Sequence, residues 1–291
     1  MFCCVALPSV TAYSCDVCGS NIGNTGIGLL TDYRSNFLRL NYNLNPFESS
    51  TERGYLIKDD FHQVDLSLRY AVTDRIRLMA QVPYASKSRS VQEETLTEQG
   101  LGDISINANY IFLENQSFLW NTKLHVEAGL GVSLPTGRFD AKLHDRNLPE
   151  SFNLGNGALG YNAQANVVWT YNSAGLVLNI FHQVNTETDS GYRFGNPSSL
   201  RLTAFKAWNK GNLQWIPNLG LGLEQLSSDR YARGSNVPNT GGKGLFLSTG
   251  INIQTQKWLA GLSYALPVAD DFAVEATTVK GRINGQISFL F

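Results

Sequence analysis

The sequence predicts an all-β fold, a transmembrane antiparallel β-barrel of twelve strands with both termini on the periplasmic side. Three observations lead to this prediction. Apolar and polar residues alternate from about residue 36 to residue 291, which is the pattern of strands with one apolar and one polar face. Short and long connections between these segments also alternate, and aromatic residues concentrate beside the short ones, as in barrels of the outer membrane.

The composition agrees with a chain in which lipid covers one face of every strand. Of the 291 residues, 16% are charged, well below the roughly 25% of soluble domains. No stretch of about 18 consecutive apolar residues is present, so no helix is predicted to cross a membrane. The formal net charge of -1 gives no global electrostatic attraction to nucleic acid.

Twelve segments show the alternation. In the first of them, Leu38 and Leu40 share one parity, whereas Arg39 and Asn41 share the other. Most segments reach the roughly 9–11 residues that a tilted strand needs to cross a bilayer. In chain order the segments are 36–44, 63–70, 75–84, 103–112, 119–134, 161–170, 176–185, 200–208, 213–226, 245–254, 258–266 and 283–291. A soluble sandwich or lipocalin-like barrel is the alternative, but so many apolar faces would make an unusually large core.

The connections between the segments fall into two classes. Because tight and long connections alternate along the chain, all tight turns are predicted at one end of the barrel and all long loops at the other. In outer-membrane barrels the short turns are periplasmic and the long loops extracellular. The tight turns are 72–74, 114–117, 172–174, 209–211 and 255–257, and the long loops are roughly 46–60, 86–99, 135–157, 187–198, 227–243 and 267–279.

Aromatic side chains of the apolar face mark the predicted periplasmic boundary. Those beside the tight turns, where an aromatic girdle is expected, are Tyr70, Tyr110, Phe112, Trp120, Trp169, Trp208, Trp215 and Trp258. The last strand keeps the pattern to its end, with Phe289 and Phe291 on the apolar parity. No open sheet edge survives in lipid, so this strand is predicted to pair with the first and close the barrel. Its terminal aromatic residues resemble the signal that the barrel-assembly machinery reads in outer-membrane proteins.

The residues before the first strand divide into two parts. The apolar run 2–10, followed by the small-residue site Val10-Thr11-Ala12, predicts a signal peptide over 1–12, truncated because the positive region is missing. A hydrophobic strand or plug is the alternative for this part. Residues 13–35 form a Cys- and Gly-rich leader that is a candidate plug of the lumen, and residues 36–291 form the barrel.

Cys15 and Cys18, in the stretch CDVCG, form the sharpest local motif. Such a pair suits a disulfide, a soft metal or a reduced dithiol. Gly19 stands where a c-type haem site needs His, and no second Cys pair completes a zinc site. A disulfide is favoured in an oxidising periplasm, with a metal site or a lipid-modified Cys15 as alternatives. No other cofactor is predicted.

Charged residues of inward parity are the candidates for solute selectivity. Basic residues outnumber acidic ones, which predicts a mildly positive lumen, and rings of Arg and Lys favour anions. The alternative is that these charges pair across a narrow barrel and neutralise one another. The candidates are Arg39, Asp65, Arg69, Arg75, Arg77, Asp103, Lys123, His125, Glu127, Arg201, Glu224 and Arg282.

No catalytic residues are predicted. The chain has four histidines and no Ser in a G-x-S-x-G setting, the motif of a nucleophile elbow. No Ser–His pair of matched parity and height is evident on the lipid-facing side. The stretches FHQVD (61–65) and FHQVN (181–185) echo each other and give His62 and His182 the lipid-facing parity. They are either a paired rim site or two interfacial histidines.

The stretch GLGDISINANYIFL (100–113) resembles outer-membrane channels of the MetA-pathway-of-phenol-degradation family, and the long loop after GVSLPTG (131–137) is similar to that family too. The resemblance extends from about residue 36 to residue 291. It implies passage of small, in part hydrophobic, molecules across the outer membrane and offers no established catalytic residues. The leader is similar to a Bacteroidetes-like subgroup that carries CDxCGC, with Ser20 in place of the third cysteine.

The sequence therefore predicts an integral protein of a Gram-negative-type outer membrane, a channel or passive transporter for small anionic or hydrophobic solutes. Its expected partners are outer-membrane lipid, the barrel-assembly machinery and the solute, and not nucleic acid. Two other classes stay open. One is a plugged structural or binding barrel whose outer loops contact a partner, and the other is a lipid-modifying enzyme of the outer membrane.

Overall fold

The computed structural model describes residues 35–50, 54–117, 122–143, 148–272 and 277–291. Within these ranges the chain forms fifteen β-segments and almost no helix. No helix in the described part is long and apolar enough to cross a membrane. A short 3-10 helix, Glu150–Phe152, lies between β6 and β7. The segments are β1 (Phe37–Ser50), β2 (Leu56–Ala71), β3 (Ile76–Val91), β4 (Glu94–Leu101), β5 (Ile104–Ser117), β6 (Lys123–Leu134), β7 (Gly160–Tyr171), β8 (Ala174–Asn185), β9 (Pro197–Lys206), β10 (Trp208–Lys210), β11 (Leu213–Leu226), β12 (Gly242–Gln254), β13 (Trp258–Phe272), β14 (Thr277–Val279) and β15 (Arg282–Leu290).

The segments close into a barrel of twelve antiparallel strands. Three strands are each built from two segments, because β4 and β5 both pair with β3, β9 and β10 both pair with β11, and β14 and β15 both lie between β13 and β1. The seam between β1 and β15 runs from Phe37 opposite Leu290 to Leu44 opposite Ile283. The predicted fold, its strand number and its closure by the last strand are confirmed.

Burial alternates along the strands as the sequence pattern requires. On β1, Leu38 and Leu40 are 44% and 48% exposed, whereas Arg39 and Asn41 are 6% and 5% exposed. Apolar side chains thus cover the outer wall, and the interior holds buried polar side chains together with two apolar clusters. Each of the twelve strands pairs with two neighbours, although the segments β4 and β10 pair on one side only. The backbone groups of the apolar band can therefore face lipid in paired form.

The two ends of the barrel differ as predicted. We call the end that carries the short connections the turn end; there Asn36 and Phe291 exchange backbone hydrogen bonds of 3.2 and 3.0 Å. The opposite end is the loop end. Tyr70, Phe112 and Trp258 are more than half exposed on the outer wall beside the turn end, where the aromatic girdle was expected. Trp120 lies outside the described residues, and the periplasmic position of the turn end stays a prediction.

Several loops are shorter than the sequence predicts because the strands continue beyond the apolar band. The predicted loop 86–99 is a hairpin in which β3 reaches Val91 and β4 begins at Glu94, with Gln92 at a φ of 54° in the turn. Its inward residues Lys87 and Arg89 alternate with outward serines. Because residues 86–90 are polar on both faces of the strand, a prediction that looks for one apolar face does not recognise them as a strand.

The prediction of a tight turn at 114–117 is wrong. β5 continues to Ser117 and pairs with β6 through two register shifts, so the connection falls after Ser117. Asn115 has a φ of 45°, a left-handed conformation that Asn adopts readily in turns. Here the same residue lies in a strand irregularity, and local sequence does not separate a β-bulge from a turn.

A candidate solute pathway through the barrel interior

The structure brings most of the predicted lumen residues together inside the barrel. Arg75 and Lys123 are instead exposed at the turn end. Those in the interior are Arg39, Asp65, Arg69, Arg77, Asp103, His125, Glu127, Arg201, Glu224 and Arg282.

The two exposed residues lie at strand ends, where parity no longer predicts which side of the wall a side chain occupies. Arg75 precedes β3, and its guanidinium lies 3.4 Å from the hydroxyl oxygen of Tyr110 on the outer wall. Lys123 is the first residue of β6 and is exposed, although it shares the parity of the buried His125. Parity assigns a side to residues within a strand, and beyond the strand ends the backbone leaves the wall.

A fully buried ion pair crosses the interior near the turn end. Arg69 on β2 donates from Nη2 to Oε2 of Glu127 on β6 at 2.6 Å, and neither side chain has exposed surface. His125 Nε2 lies 3.7 Å from the same carboxylate oxygen. At this level of the barrel the charges pair across the interior, which is the alternative to a ring of free cations.

Amide side chains fill the middle of the interior. Asp65 accepts hydrogen bonds from Asn43 at 3.1 Å and from Gln63 at 2.6 Å. Asn284 of β15 donates to Asn41 and Asn43 at 2.9 and 2.6 Å, so the network crosses the seam of the barrel. Neutral amide groups thus contribute hydrogen bonds to the buried carboxylate, and a buried charge needs such partners.

On the loop-end side of these amide side chains, two guanidinium groups share one carboxylate. Arg282 donates to Glu224 at 2.6 Å, and Arg201 Nη2 lies 3.9 Å from the other carboxylate oxygen. The guanidinium of Arg282 also lies 4.1 Å from the ring centre of Phe246, a cation–π contact. All four residues line a polar cavity of about 150 Å³, as does Arg39. The cavity therefore has more cationic than anionic groups on its wall.

An apolar cluster occupies the interior towards the loop end. Phe152 has no exposed surface, and its ring meets that of Phe61 edge-on with centroids 5.0 Å apart. Since Phe152 belongs to the connection between β6 and β7, this connection folds inwards, and we call its residues 148–157 the constriction loop. The cluster comprises Phe47, Phe61, Leu143, Leu148, Phe152, Leu226, Phe246, Phe272 and Val279.

Lys87 holds the constriction loop against the barrel wall. Its Nζ donates to the carbonyl oxygens of Ser151 and Asn153 at 2.7 and 2.6 Å. It also lies 5.6 Å from the ring centre of Phe61. Hydrogen bonds from a charged donor are roughly twice as strong as neutral ones, so the buried ammonium is a strong polar tether of this loop.

Arg89 supports the same loop from the neighbouring position of β3. It forms two hydrogen bonds of 2.8 and 2.6 Å with the carboxylate of Asp59. Its guanidinium lies 5.2 Å from the ring centre of Phe152. Asp59, Lys87 and Arg89 are interior residues that fall within the predicted loops 46–60 and 86–99. The period-two spacing of Lys87 and Arg89 is the sequence signal that points to a strand here.

Asp103 anchors the base of the constriction loop. Its carboxylate accepts backbone hydrogen bonds from Gly137 at 2.9 Å and Asn156 at 2.7 Å. Asp103, Lys87 and Asn153 line a second cavity of about 220 Å³. The apolar cluster borders both cavities, since Leu226 lines this one and Phe246 lines the one that contains Arg282.

Two further loops, 186–196 and 227–241, meet at a buried carboxylate. Asp229 accepts hydrogen bonds from the hydroxyl of Tyr192 and the backbone N–H of Gly195, both at 2.5 Å. Its own N–H donates to Oγ1 of Thr240 at 3.0 Å. Burial raises the pKa of Asp229 to about 6, although the bonds from Tyr192 and Gly195 lower it.

The outer wall carries a Ser–His pair that the sequence does not predict. His182 on β8 lies opposite Ser198 on β9, with Nδ1 and Oγ 2.8 Å apart. A loop separates the two residues in the chain, so only the strand register brings them together. In the echoed motif, His62 instead places Nδ1 2.8 Å from the hydroxyl of Tyr42.

The Cys motif lies outside the described residues, as do the predicted signal peptide and most of the leader. In the described part of the chain there is no group of three or more His, Cys, Asp or Glu residues that could hold a metal ion. The disulfide and the soft-metal site at Cys15 and Cys18 therefore stay predictions.

Comparison with known proteins places this geometry among outer-membrane barrels. Residues 70–271 match the family model described as "Putative MetA-pathway of phenol degradation". The fold is similar to that of an outer membrane channel from Pseudomonas putida F1, with a TM-score of 0.67 and 14% identity, covering 90% of this chain and 97% of that chain. No curated protein matches the chain.

Two structures are more distantly similar. The KdgM porin has a TM-score of 0.46 and 9% identity, covering 87% of this chain and 99% of that chain. LpxR from Salmonella typhimurium has a TM-score of 0.46 and 10% identity, covering 88% of this chain and 100% of that chain. At these values neither likeness bears on the function of this chain.

Proposed function

Since the chain belongs to the MetA-pathway-of-phenol-degradation family, we propose that it is a channel or passive transporter for small solutes in the outer membrane of a Gram-negative bacterium. The fold it shares with the Pseudomonas putida channel supports a transport role in general. The resemblance seen at 100–113 led to the same family, and the match over 70–271 confirms it.

A polar interior within an apolar wall is the observation that carries the proposal. Asn43, Asn284 and Arg282 line a cavity inside the barrel, while the outward residues of the same strands, such as Leu40 and Ile287, are exposed. A barrel that served only as a membrane anchor would gain nothing from so many buried polar groups, because each costs free energy unless it is paired.

The groups along the pathway favour a small solute that combines negative charge with an apolar part. Arg39, Arg201 and Arg282 face the cavity with one carboxylate, that of Glu224, among them, and cationic walls favour anions. Above them the solute would meet the rings of Phe152 and its neighbours. An apolar group can replace these ring contacts at little cost, whereas a strongly hydrated ion cannot.

Passage needs rearrangement at two levels. The pair of Arg69 and Glu127 crosses the interior near the turn end, and the constriction loop fills it towards the loop end. We therefore propose that the described conformation is the closed state and that the constriction loop moves when a solute enters. A loop held by a few polar contacts opens locally at a small fraction of the free energy of global unfolding.

Conductance of the refolded protein in a planar bilayer tests the proposal. We expect brief, small current steps in the wild type and a reversal potential that indicates anion selectivity in a salt gradient. The variant Phe152→Ala should increase the conductance, because it removes the ring at the centre of the apolar cluster. A silent bilayer with both folded proteins would contradict the channel function, and cation selectivity would contradict the proposed solute class.

We also propose that the turn end faces the periplasm, as the short connections suggest. A single cysteine in place of Gly234, in a loop of the loop end, should react with a membrane-impermeant maleimide on intact cells. One at Ser173, in the turn between β7 and β8, should react only after the outer membrane is permeabilised. The reverse pattern would contradict this orientation.

A further inference from the structure

Two neighbouring rows of outward-facing residues cross five strands of the wall near the loop end. The members of each row lie opposite one another in the strand register. The polar row, nearer to the loop end, consists of His182, Ser198, Gln225, Lys243 and Asp271. The apolar row consists of Ile180, Leu200, Leu223, Leu245 and Ala269.

These two rows line a groove of about 580 Å³ in the outer wall. The register of β12 against β13 shifts between Leu245 and Phe246, and a β-bulge of this kind bends the bulged strand and increases the local twist. The volume lies within the roughly 300–1,000 Å³ of small-molecule sites. A groove that is apolar on one side and polar at its rim fits an amphiphile, with the chain along the apolar row and the head group at the polar row.

The Ser–His pair in the polar row has the geometry of an activated nucleophile. Ser198 Oγ and His182 Nδ1 are 2.8 Å apart, within the reach that a general base needs. A serine hydroxyl is a weak nucleophile until such a base takes its proton. The tautomer with a proton on Nε2 leaves Nδ1 of His182 free to accept it.

Gln225 lies on the other side of Ser198 in the same row, directly opposite it on β11. Side chains of directly opposed residues have Cβ atoms about 4.5–5.5 Å apart. The amide of a glutamine is one of the groups that can donate to the oxygen anion of a tetrahedral intermediate. Base, nucleophile and donor thus follow one another across three paired strands.

We propose that Ser198, His182 and Gln225 form an acyl-ester hydrolase site for a membrane amphiphile whose acyl chain lies along the apolar row. Ser198 Oγ bonds to the ester carbonyl carbon while its proton passes to His182, and Gln225 donates to the oxygen anion. The bond to the alcohol then breaks, and the alcohol leaves with the proton from His182. Water attacks the acyl-serine through the same base, the carboxylic acid leaves, and the proton returns to Ser198.

The residues His62 and Ser86 provide an internal control for this site. His62 occupies the same place in the echoed FHQV stretch, and Ser86 lies directly opposite it on β3. The imidazole of His62, however, contacts the hydroxyl of Tyr42. His62 and Ser86 therefore match His182 and Ser198 in residue type and rim position without the same base–nucleophile contact.

The test uses the full chain in detergent micelles and a fluorophosphonate probe, which bonds covalently to activated serines. Mass spectrometry of the digested protein should find the probe on Ser198, and Ser198→Ala should abolish it. His182→Ala should slow the labelling by about 10²-fold or more, as the loss of a general base does. His62→Ala and Ser86→Ala should label at the wild-type rate.

Turnover is measured as fatty acid released from vesicles of phosphatidylethanolamine that contain the protein. Release that Ser198→Ala abolishes and Ser86→Ala preserves supports the proposal. Wild-type protein that folds, migrates as a heat-modifiable barrel and takes up no probe overturns it, as does labelling that His182→Ala leaves unchanged. Because Ser198 and His182 lie on the outer wall, Ser198→Ala is expected to leave the conductance unchanged. The channel function and the ester-hydrolase site are therefore tested independently of each other.

Discussion

Replacing Lys87 with methionine should release the constriction loop. Methionine keeps the length of the side chain but removes the ammonium that donates to the carbonyl oxygens of Ser151 and Asn153. A hydrogen bond from a charged donor contributes about 1.5–3 kcal/mol, so the two together contribute about 3–6 kcal/mol. Because burial of the ammonium offsets part of this gain, we expect a net loss of about 3 kcal/mol for the closed loop.

That loss should raise the population of the open loop about a hundredfold, since about 1.4 kcal/mol changes an equilibrium constant tenfold. Amide hydrogen exchange measures this population directly. The N–H groups of Leu154 and Gly155 both bond to the carbonyl of Arg138 across the base of the loop. Both should exchange about a hundredfold faster in the variant, and single-channel openings should become longer.

Lys58→Met provides the matched control. Lys58 is exposed on the outer wall of the adjacent strand β2, so its replacement removes the same charge and leaves the constriction loop alone. The reasoning is refuted if Lys87→Met leaves the exchange of Leu154 and Gly155 unchanged. It is also refuted if Lys58→Met accelerates that exchange to the same extent.

Three further outcomes are expected. Arg69→Ala leaves Glu127 buried without its 2.6 Å partner and should lower the free energy of unfolding by about 3–5 kcal/mol, measured in urea; a loss below about 1 kcal/mol would contradict the importance of this pair. Because the pKa of Asp229 is raised to about 6, its contribution to loop stability is full below the ordinary pKa of about 3.9 and is lost as the pH rises through about 6. The N–H of Gly195 should therefore lose protection, beyond base catalysis of exchange, over this range in the wild type and not in Asp229→Asn; equal pH profiles would contradict the assignment. Arg39→Gln should shift the reversal potential towards cations, because Arg39 lines the 150 Å³ cavity; an unchanged potential would locate selectivity elsewhere.

The sequence predicts those parts of this barrel that depend on the two faces of a strand. Leu40 is apolar and Arg39 is charged, so the alternation assigns Leu40 to lipid and Arg39 to the interior without any tertiary information. Strand number and closure follow from the same pattern. The pattern fails where both faces are polar, as at Lys87 and Arg89, because nothing in the local sequence then distinguishes a hairpin from a loop.

The contacts that build the candidate sites depend on information absent from local sequence. Phe152 lies in a polar loop, and only the fold of that loop into the barrel makes it the centre of an apolar cluster. Ser198 and His182 meet because a loop of a particular length sets the register of β8 and β9. A shift of one residue in that register would move the side chains of one strand to the opposite face, so such a pair can be found only in the structure.

The seam between β1 and β15 also determines the order in which the barrel can form. Arg39 and Ser288 are 249 residues apart in the chain, whereas Asn41 and Asp65 of the first hairpin are 24 apart. From an unstructured chain, closing the longer segment costs about 2 kcal/mol more in chain entropy than closing the shorter one. Hairpins should therefore form first and the seam last. The slow step of folding is then the pairing of β1 with β15, which are the two edges of an open, curved sheet.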